Sequence, residues 1–241
     1  MAPLVYVCVR PQQVAAEAEY ASFRTAMGLT TSQLERIDLT RDPLPADALT
    51  RWRGFVVGGS PYNATDSAET KAEAQLRLEA DLARIADAAA SGETAALFTC
   101  YGIGVATAHL GGEISRDYPE ETGPTEVALT DDGRVDPLFG MLPPTFAALT
   151  AHKEGTSTLP AGAVLLATNA NCPVQAYRVG TRLYATQFHP EPTPRDFTER
   201  MTVYRNDGYF DAADYDRVAA RVLSTPVTEP ARLLAAFAAA Y

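Results

Sequence analysis

Cysteine is scarce in this sequence: Cys8, Cys100 and Cys172 are the only three, at wide and unpatterned spacings. They make no CxxC pair and no even-numbered set, which excludes a disulfide framework and a thiolate zinc knuckle. Histidine is equally sparse, at His109, His152 and His189, so neither a metal nor another cofactor is expected. A dense Lys/Arg tract is missing too. With 30 acidic against 20 basic side chains the formal net charge is -10, which argues against a nucleic-acid backbone or an anionic membrane surface as partner. No apolar run approaches the roughly 20 residues needed to span a bilayer. The opening MAPLVYVCVRPQ has neither a basic lead nor a small-residue cleavage site, so it reads as a first strand rather than a signal peptide. Free thiols without a secretory signal point to a reducing compartment, and the expected location is the cytoplasm.

What is present is an alternation of short apolar runs and helical segments. Leu4 to Val9 reads as a buried strand, Glu17 to Met27 as a helix and Leu34 to Leu39 as a second strand. Gly54-Phe-Val-Val is a strand running into Gly58-Gly59. From Thr70 to Ala90, Leu78, Leu82, Ile85 and Ala89 recur at spacings of four, three and four, one face of an amphipathic helix. Ala95 to Thr99 is a buried strand that ends at Cys100. This order predicts a doubly wound α/β fold, a mostly parallel sheet with helices on both faces. The second half is richer in strands, at Glu126–Leu129, Thr145–Ala151, Val164–Ala167, Gln175–Val179 and Arg182–Phe188. These add an antiparallel β extension. A helical tail follows, with Tyr215, Val218, Ala219 and Val222 on one stripe and a last helix starting near Pro230. The chain is expected to form one domain over 1–241, a core of about 1–195 and a helical extension over 196–241.

In open α/β sheets reactive groups collect at the carboxyl ends of the strands. Cys100 stands at such an end, before the helix-like "YGIG", where helix N–H groups and the positive dipole end favour a thiolate. Cys8, inside a strand, reads as a small hydrophobe, and Cys172 as incidental. A nucleophilic thiol needs a base, and the base an orienting group. His109 falls two turns into the following helix and points away. His152, in "LTAHKEG", fits a place near a site or on the surface. His189 ends the strand "YATQF", and Pro190 turns the chain so that Glu191 returns to the imidazole. The tail aromatics Tyr204, Tyr209 and Phe210 either line the entrance to the site or dock the final helices, the docking role being the default.

Four blocks, "VVGGSPYNATD", "CYGIG…HLGG", "NCPVQAYRVG" and "YATQFHPE", together resemble the class I, triad-type glutamine amidotransferases, in particular the stand-alone branch similar to the amidotransferase domain of GMP synthetase. Their order and spacing match over roughly residues 50 to 195. The resemblance implies a flavodoxin-like sheet and a Cys100–His189–Glu191 triad. It also implies an oxyanion hole made by the backbone N–H groups of Gly59 and Tyr101, with Gly58 and Gly104 beside the substrate. Two positions depart from the family pattern. Phe98 stands where glycine is usual, and Gly104 where a substrate-holding glutamine is usual.

The expected activity is hydrolysis of the glutamine side-chain amide through a γ-glutamyl thioester on Cys100, releasing ammonia. No GxxxxGKS or GxxxxGKT phosphate loop is present and little chain follows residue 195. The ammonia would therefore pass to a separate synthetase or acceptor protein. Two alternatives stand beside this: a hydrolase of γ-glutamyl peptides or conjugates with the same three residues, and a catalytically silent binding module.

Overall fold

The structure is a computed structural model and describes residues 2–241. Strand β1 (Leu4–Cys8) is followed by helix α1 (Gln13–Met27), β2 (Leu34–Asp38), the short α2 (Ala48–Arg51) and β3 (Gly54–Val57). Then come α3 (Glu73–Ala90), β4 (Ala95–Thr99) and α4 (Tyr101–His109). The middle of the chain holds β5 (Glu113–Ser115), β6 (Glu120–Leu129), α5 (Asp131–Val135), β7 (Thr145–His152), β8 (Gly155–Thr158), β9 (Ala163–Thr168), β10 (Ala176–Val179) and β11 (Leu183–Thr186). Helices α6 (Pro194–Val203), α7 (Tyr215–Ser224) and α8 (Pro230–Ala240) close it.

One large sheet runs β2-β1-β3-β4-β11-β10-β9-β6-β7, and β5 pairs with β8 in a separate two-stranded sheet. The pairings among β2, β1, β3, β4 and β11 are parallel, and those from β11 to β7 are antiparallel. Every residue of β1, β3, β4 and β11 is buried. That is why these strands read as unbroken apolar runs: both of their faces are covered by helices. Alternation then sorts the side chains. Leu4, Tyr6 and Cys8 enter the core under α1 and α8, while Val5 and Val7 enter the opposite core under α3 and α4. Leu78, Leu82, Ile85 and Ala89 of α3 are all buried in that second core, as their spacing predicts.

The antiparallel half curls back toward the parallel half. Leu149 of β7 makes an isolated bridge with His189, just beyond β11, so the far edge of the sheet arrives over the ends of β4 and β11. Val218 and Val222 of α7 seal this closure against Leu149, Phe197 and Met201. No helix of the described residues is long and apolar enough to cross a membrane.

Candidate active site

Strand β4 ends at Thr99, and Cys100 follows at φ 51° and ψ -108°. It is the only non-glycine residue with positive φ among the described residues. Such a backbone costs about 1–3 kcal/mol and persists only where its surroundings hold it. Here the Cys100 N–H donates to Thr186 O at 2.8 Å and its C=O accepts from Ile103 N–H at 3.1 Å. The turn sets the thiol at the N-terminus of α4, whose first N–H groups, Tyr101's included, have no acceptor within the helix. Phe98 does not reach the site. It is fully buried in the core, and a Cβ on Gly102 would lie 3.3 Å from its Cβ. The bulk at Phe98 is thus matched by the missing side chain at Gly102.

The imidazole comes from the other side. His189 N–H donates to Leu149 O at 2.9 Å, and its Nδ1 donates to Glu191 Oε1 at 3.0 Å. The Cys100 sulfur lies near enough to raise the imidazole's pKa, and the two residues line one cavity. A Cβ on Gly59 would lie 2.8 Å from His189 Cε1, 2.9 Å from Arg10 Nη2 and 3.5 Å from Cys100 Cβ. Only a residue without a side chain fits where these three groups converge. Burial pushes the imidazole toward neutrality, but Glu191 and Cys100 outweigh it and raise its pKa to about 10. Burial likewise works against the Glu191 carboxylate, yet His189 and Arg200 hold it down at about 2.

Arg200 belongs to a charge network for which the four sequence blocks give no sign. Helix α6 starts at a capping box formed by Thr193 and Asp196, with Pro194 in its first turn. Two turns on, Arg200 Nη1 donates to Glu191 Oε1 at 2.6 Å and to Glu19 Oε1 at 3.3 Å. Glu19 lies on the buried face of α1 with no exposed surface. It also accepts from Tyr6 Oη at 2.6 Å and from Arg10 Nη2 at 2.7 Å. Burial opposes its charge, but the two guanidinium groups win and its pKa is lowered. The available signal in the sequence was an acid on an apolar helical stripe, Ala15, Ala16, Glu19, Phe23. Such a residue is kept buried only by ion pairs.

Two expectations need correcting, and two that were left open are decided. The Gly59 N–H is not an open donor, because it donates to Glu19 Oε1 at 3.2 Å. Gly58 faces neither cavity described below. A Cβ there would strike Glu19 Oε2 at 2.2 Å, so this glycine makes room for the carboxylate rather than for a substrate. Tyr204, Tyr209 and Phe210 do more than dock helices, since all three line a cavity at Cys100. Of the two places open to His152, the structure takes the one near the site: it is buried and lines the second cavity at Cys100, with Nε2 2.8 Å from Glu120 Oε2 and Nδ1 2.8 Å from Glu154 O. His109 does stand apart, pairing with Asp87 on the far surface of α4.

Two cavities meet at the Cys100 sulfur and share Ser60, Ala151 and Tyr209. One continues past Tyr62, Asn63, Gly104, Glu154 and Gln187. Gly104 does line it, and the reason for a glycine is visible. A Cβ there would sit 3.3 Å from Ala64 Cβ and 3.4 Å from Glu154 Oε1. That carboxylate ties down the loop after β3, accepting from Ala64 N–H at 2.7 Å and Thr65 N–H at 3.1 Å. The other cavity, with an open mouth, lies on the His189 side and is walled by Arg10, Arg200, Phe197 and the three tail aromatics. Tyr209 roofs both, held by Thr122 Oγ1 donating to its C=O at 2.9 Å and by Lys153 over its ring.

A buried acid, Glu19, with His189 and Glu191 places three ligand atoms within 4.8 Å of one another, as do Glu120, His152 and Cys172. Both groups are already joined by hydrogen bonds and ion pairs to neighbours.

Comparison with known proteins gives the same family as the four blocks. A family model described as class I glutamine amidotransferase matches residues 32–205. The chain is 32% identical over 146 residues to a glutamine-hydrolysing GMP synthase of Aeropyrum pernix, covering 60% of this chain and 25% of that one. With the corresponding enzyme of Borrelia garinii it shares 30% over 102 residues, 42% of this chain and 19% of the other. The matched stretch therefore spans a fifth to a quarter of those relatives. Among solved structures, a glutamine amidotransferase from Thermotoga maritima superposes with a TM-score of 0.77 at 16% identity, covering 98% of this chain and 96% of that one. A protein from Thermoplasma acidophilum, assigned as a GMP synthase subunit, gives 0.62 at 24% identity, covering 85% and 96%. The fold, the strand-end thiol and the match over most of its length agree: this chain belongs to the class I glutamine amidotransferase family.

Proposed function

We propose that the protein hydrolyses the side-chain amide of glutamine, with Cys100 as nucleophile, His189 as proton carrier and Glu191 as the group that orients it. Residues 1–195 form the core of this unit, and 196–241 complete the site through Arg200 and Tyr209. The observation that carries the reading is the convergence at Gly59 of a strained strand-end thiol and a carboxylate-held imidazole. The Cys100 sulfur attacks the amide carbon, a C–S bond forms, and the C–N bond breaks as His189 gives its proton to the departing nitrogen. Water then attacks the γ-glutamyl thioester, the imidazole takes its proton, and glutamate leaves. The oxyanion finds the Tyr101 N–H at the start of α4, and Gly59 N–H joins it on release from Glu19. Fixed donors of this kind typically contribute about 3–4 kcal/mol each to the barrier reduction. A separate synthetase would receive the ammonia, in keeping with the likeness to a GMP synthase subunit.

The test is direct. Glutamine should yield ammonia and glutamate in equal amounts, and rapid acid quench should leave one γ-glutamyl group on the Cys100 peptide in mass spectra. Turnover without that adduct, with the label on another residue, would overturn the assignment.

The charge state sets a pH profile. kcat/KM reports the free enzyme, in which the imidazolium persists up to about 10. The value should therefore hold from neutrality to about pH 9 and fall as pH rises through the His189 pKa. A basic limb near the ordinary histidine value of about 6.5 would contradict the Cys100–His189–Glu191 coupling. Folding stability follows the same sign. The His189 contribution is complete below about 6.5 and lost as pH rises through about 10, whereas that of Glu191 is lost only as pH falls toward about 2.

The cavity on the His189 side favours a second reading, cleavage of γ-glutamyl conjugates. Its mouth is open, so a leaving group larger than ammonia can extend from the His189 side toward solvent.

A further inference from the structure

Glu191 is held through one oxygen. Its Oε1 accepts from His189 Nδ1 at 3.0 Å and from Arg200 Nη1 at 2.6 Å, while Oε2 is buried without a partner. Arg200 in turn has nothing to offer a ligand. Its Nη1 is engaged by Glu191 and by Glu19 Oε1 at 3.3 Å, and its Nε and Nη2 are covered atoms with no partner. The guanidinium reaches this place because α6 buries one side, packing Phe197 and Met201 against Leu149.

The need for a cation here follows from the two acids. Carboxylate oxygens of Glu19 and Glu191 lie within 4.8 Å of each other, and both residues are buried. Like charges that close drive one carboxyl to keep its proton unless a cation lies between them. Among the described residues, Arg200 alone donates to both. Each of the other groups around the pair serves one acid only. Arg10, from the loop after β1, and Tyr6, from β1, donate to Glu19. His189 donates to Glu191, with the Cys100 sulfur near its ring. Tyr204, just past α6, accepts from Arg10.

We propose that Arg200 is a positioning residue: by bridging Glu19 and Glu191 it keeps the second carboxylate charged and aimed at the imidazole. The inference rests on the hydrolytic reading of Cys100, His189 and Glu191 given above. A Glu191 that took up a proton would leave the His189 imidazolium without its counter-charge, and proton transfer to the leaving nitrogen would suffer. The reaction thus depends on a helix that lies beyond the four sequence blocks.

The experiment follows ammonia release from glutamine between pH 5 and 8 in the wild-type protein, Arg200→Gln, Arg200→Lys and the double variant Glu19→Gln/Arg200→Gln. kcat/KM is divided by the folded fraction at each pH, read from the fluorescence of Trp52, the single tryptophan, which is buried. Arg200→Gln should lower kcat/KM about tenfold at pH 8, the ordinary weight of a charge-assisted contact. Its deficit should widen toward pH 5 as Glu191 takes up a proton. Arg200→Lys, which keeps the charge, should show no widening. Glu19→Gln removes the second acid, so at pH 5 the double variant should be at least about fivefold more active than Arg200→Gln alone. A purely architectural role predicts the reverse, two losses that multiply and a deficit equal at every pH. That result, or Arg200→Gln within about twofold of wild type throughout, would overturn the proposal while leaving glutamine hydrolysis standing. If Arg200→Gln does not fold, the double variant decides. Hydrolysis with the wild-type pH profile supports the charge role, and an inactive or unfolded double variant overturns it. An inactive wild-type protein would instead remove the hydrolytic reading itself, and this inference with it.

Discussion

Replacing Cys100 with alanine is expected to lower amide hydrolysis by about 10⁴-fold or more in kcat, with KM little changed. No other thiol can substitute. Cys8 and Cys172 are fully buried inside the fold, and burial pushes both thiols up, Cys172 to about 12, so neither supplies thiolate at neutral pH. Alanine leaves the strained turn, the Tyr101 N–H and both cavities in place, so the loss falls on bond formation rather than on binding. The variant should still bind glutamine, measured by titration calorimetry, and should show no adduct after quench. Hydrolysis within tenfold of the wild-type rate would mean that the sulfur is not the nucleophile.

Glu19→Leu should have the largest effect on stability, a loss of about 3–5 kcal/mol in urea unfolding. Glu19 is completely buried and joins Arg10 and Arg200, each about one-twentieth exposed. Leucine removes the one carboxylate shared by both guanidinium groups and leaves Tyr6 Oη and Gly59 N–H without their acceptor. Uncompensated buried charge is costly because desolvation is no longer offset by an ion pair. Glu19→Gln, which keeps an acceptor oxygen but no charge, should lose less than leucine does. A change below about 1 kcal/mol for Glu19→Leu would show that water reaches these arginines and that the network is not closed.

These two variants mark the boundary between local and long-range information. Strands β1, β3, β4 and β11 were legible because each is buried on both faces and so had to be continuously apolar. The helices α3 and α7 were legible because one face alone is buried. Cys100 and His189 stood out because each follows a strand end, and strand ends in a parallel sheet share one edge, while Glu191 stood out because Pro190 turns the chain back toward the imidazole. A single strand register therefore carries two of them to the same place, Thr99 opposite Thr186.

Glu19, Arg10 and Arg200 were not legible in that way, although they hold the site's charge balance. They come from a helix, a loop and a second helix. Arg10 and Arg200 stand 9 and 181 positions from Glu19 in the chain, and no periodicity links them. Nor does any local pattern fix the direction of the Gly59 N–H, which Glu19 claims across 40 residues. The cavity roof is of the same kind: Tyr209 reaches Cys100 only because the antiparallel half curls until Leu149 bridges His189.

From the chain of letters alone came the layer order, the strand-end sulfur and the imidazole with its carboxylate, since these follow from burial, from strand ends and from the turn at Pro190. Packing decided which backbone donor is engaged, where the arginine charge faces and how much room lies behind the imidazole, because these depend on distances between segments that meet only when the sheet closes.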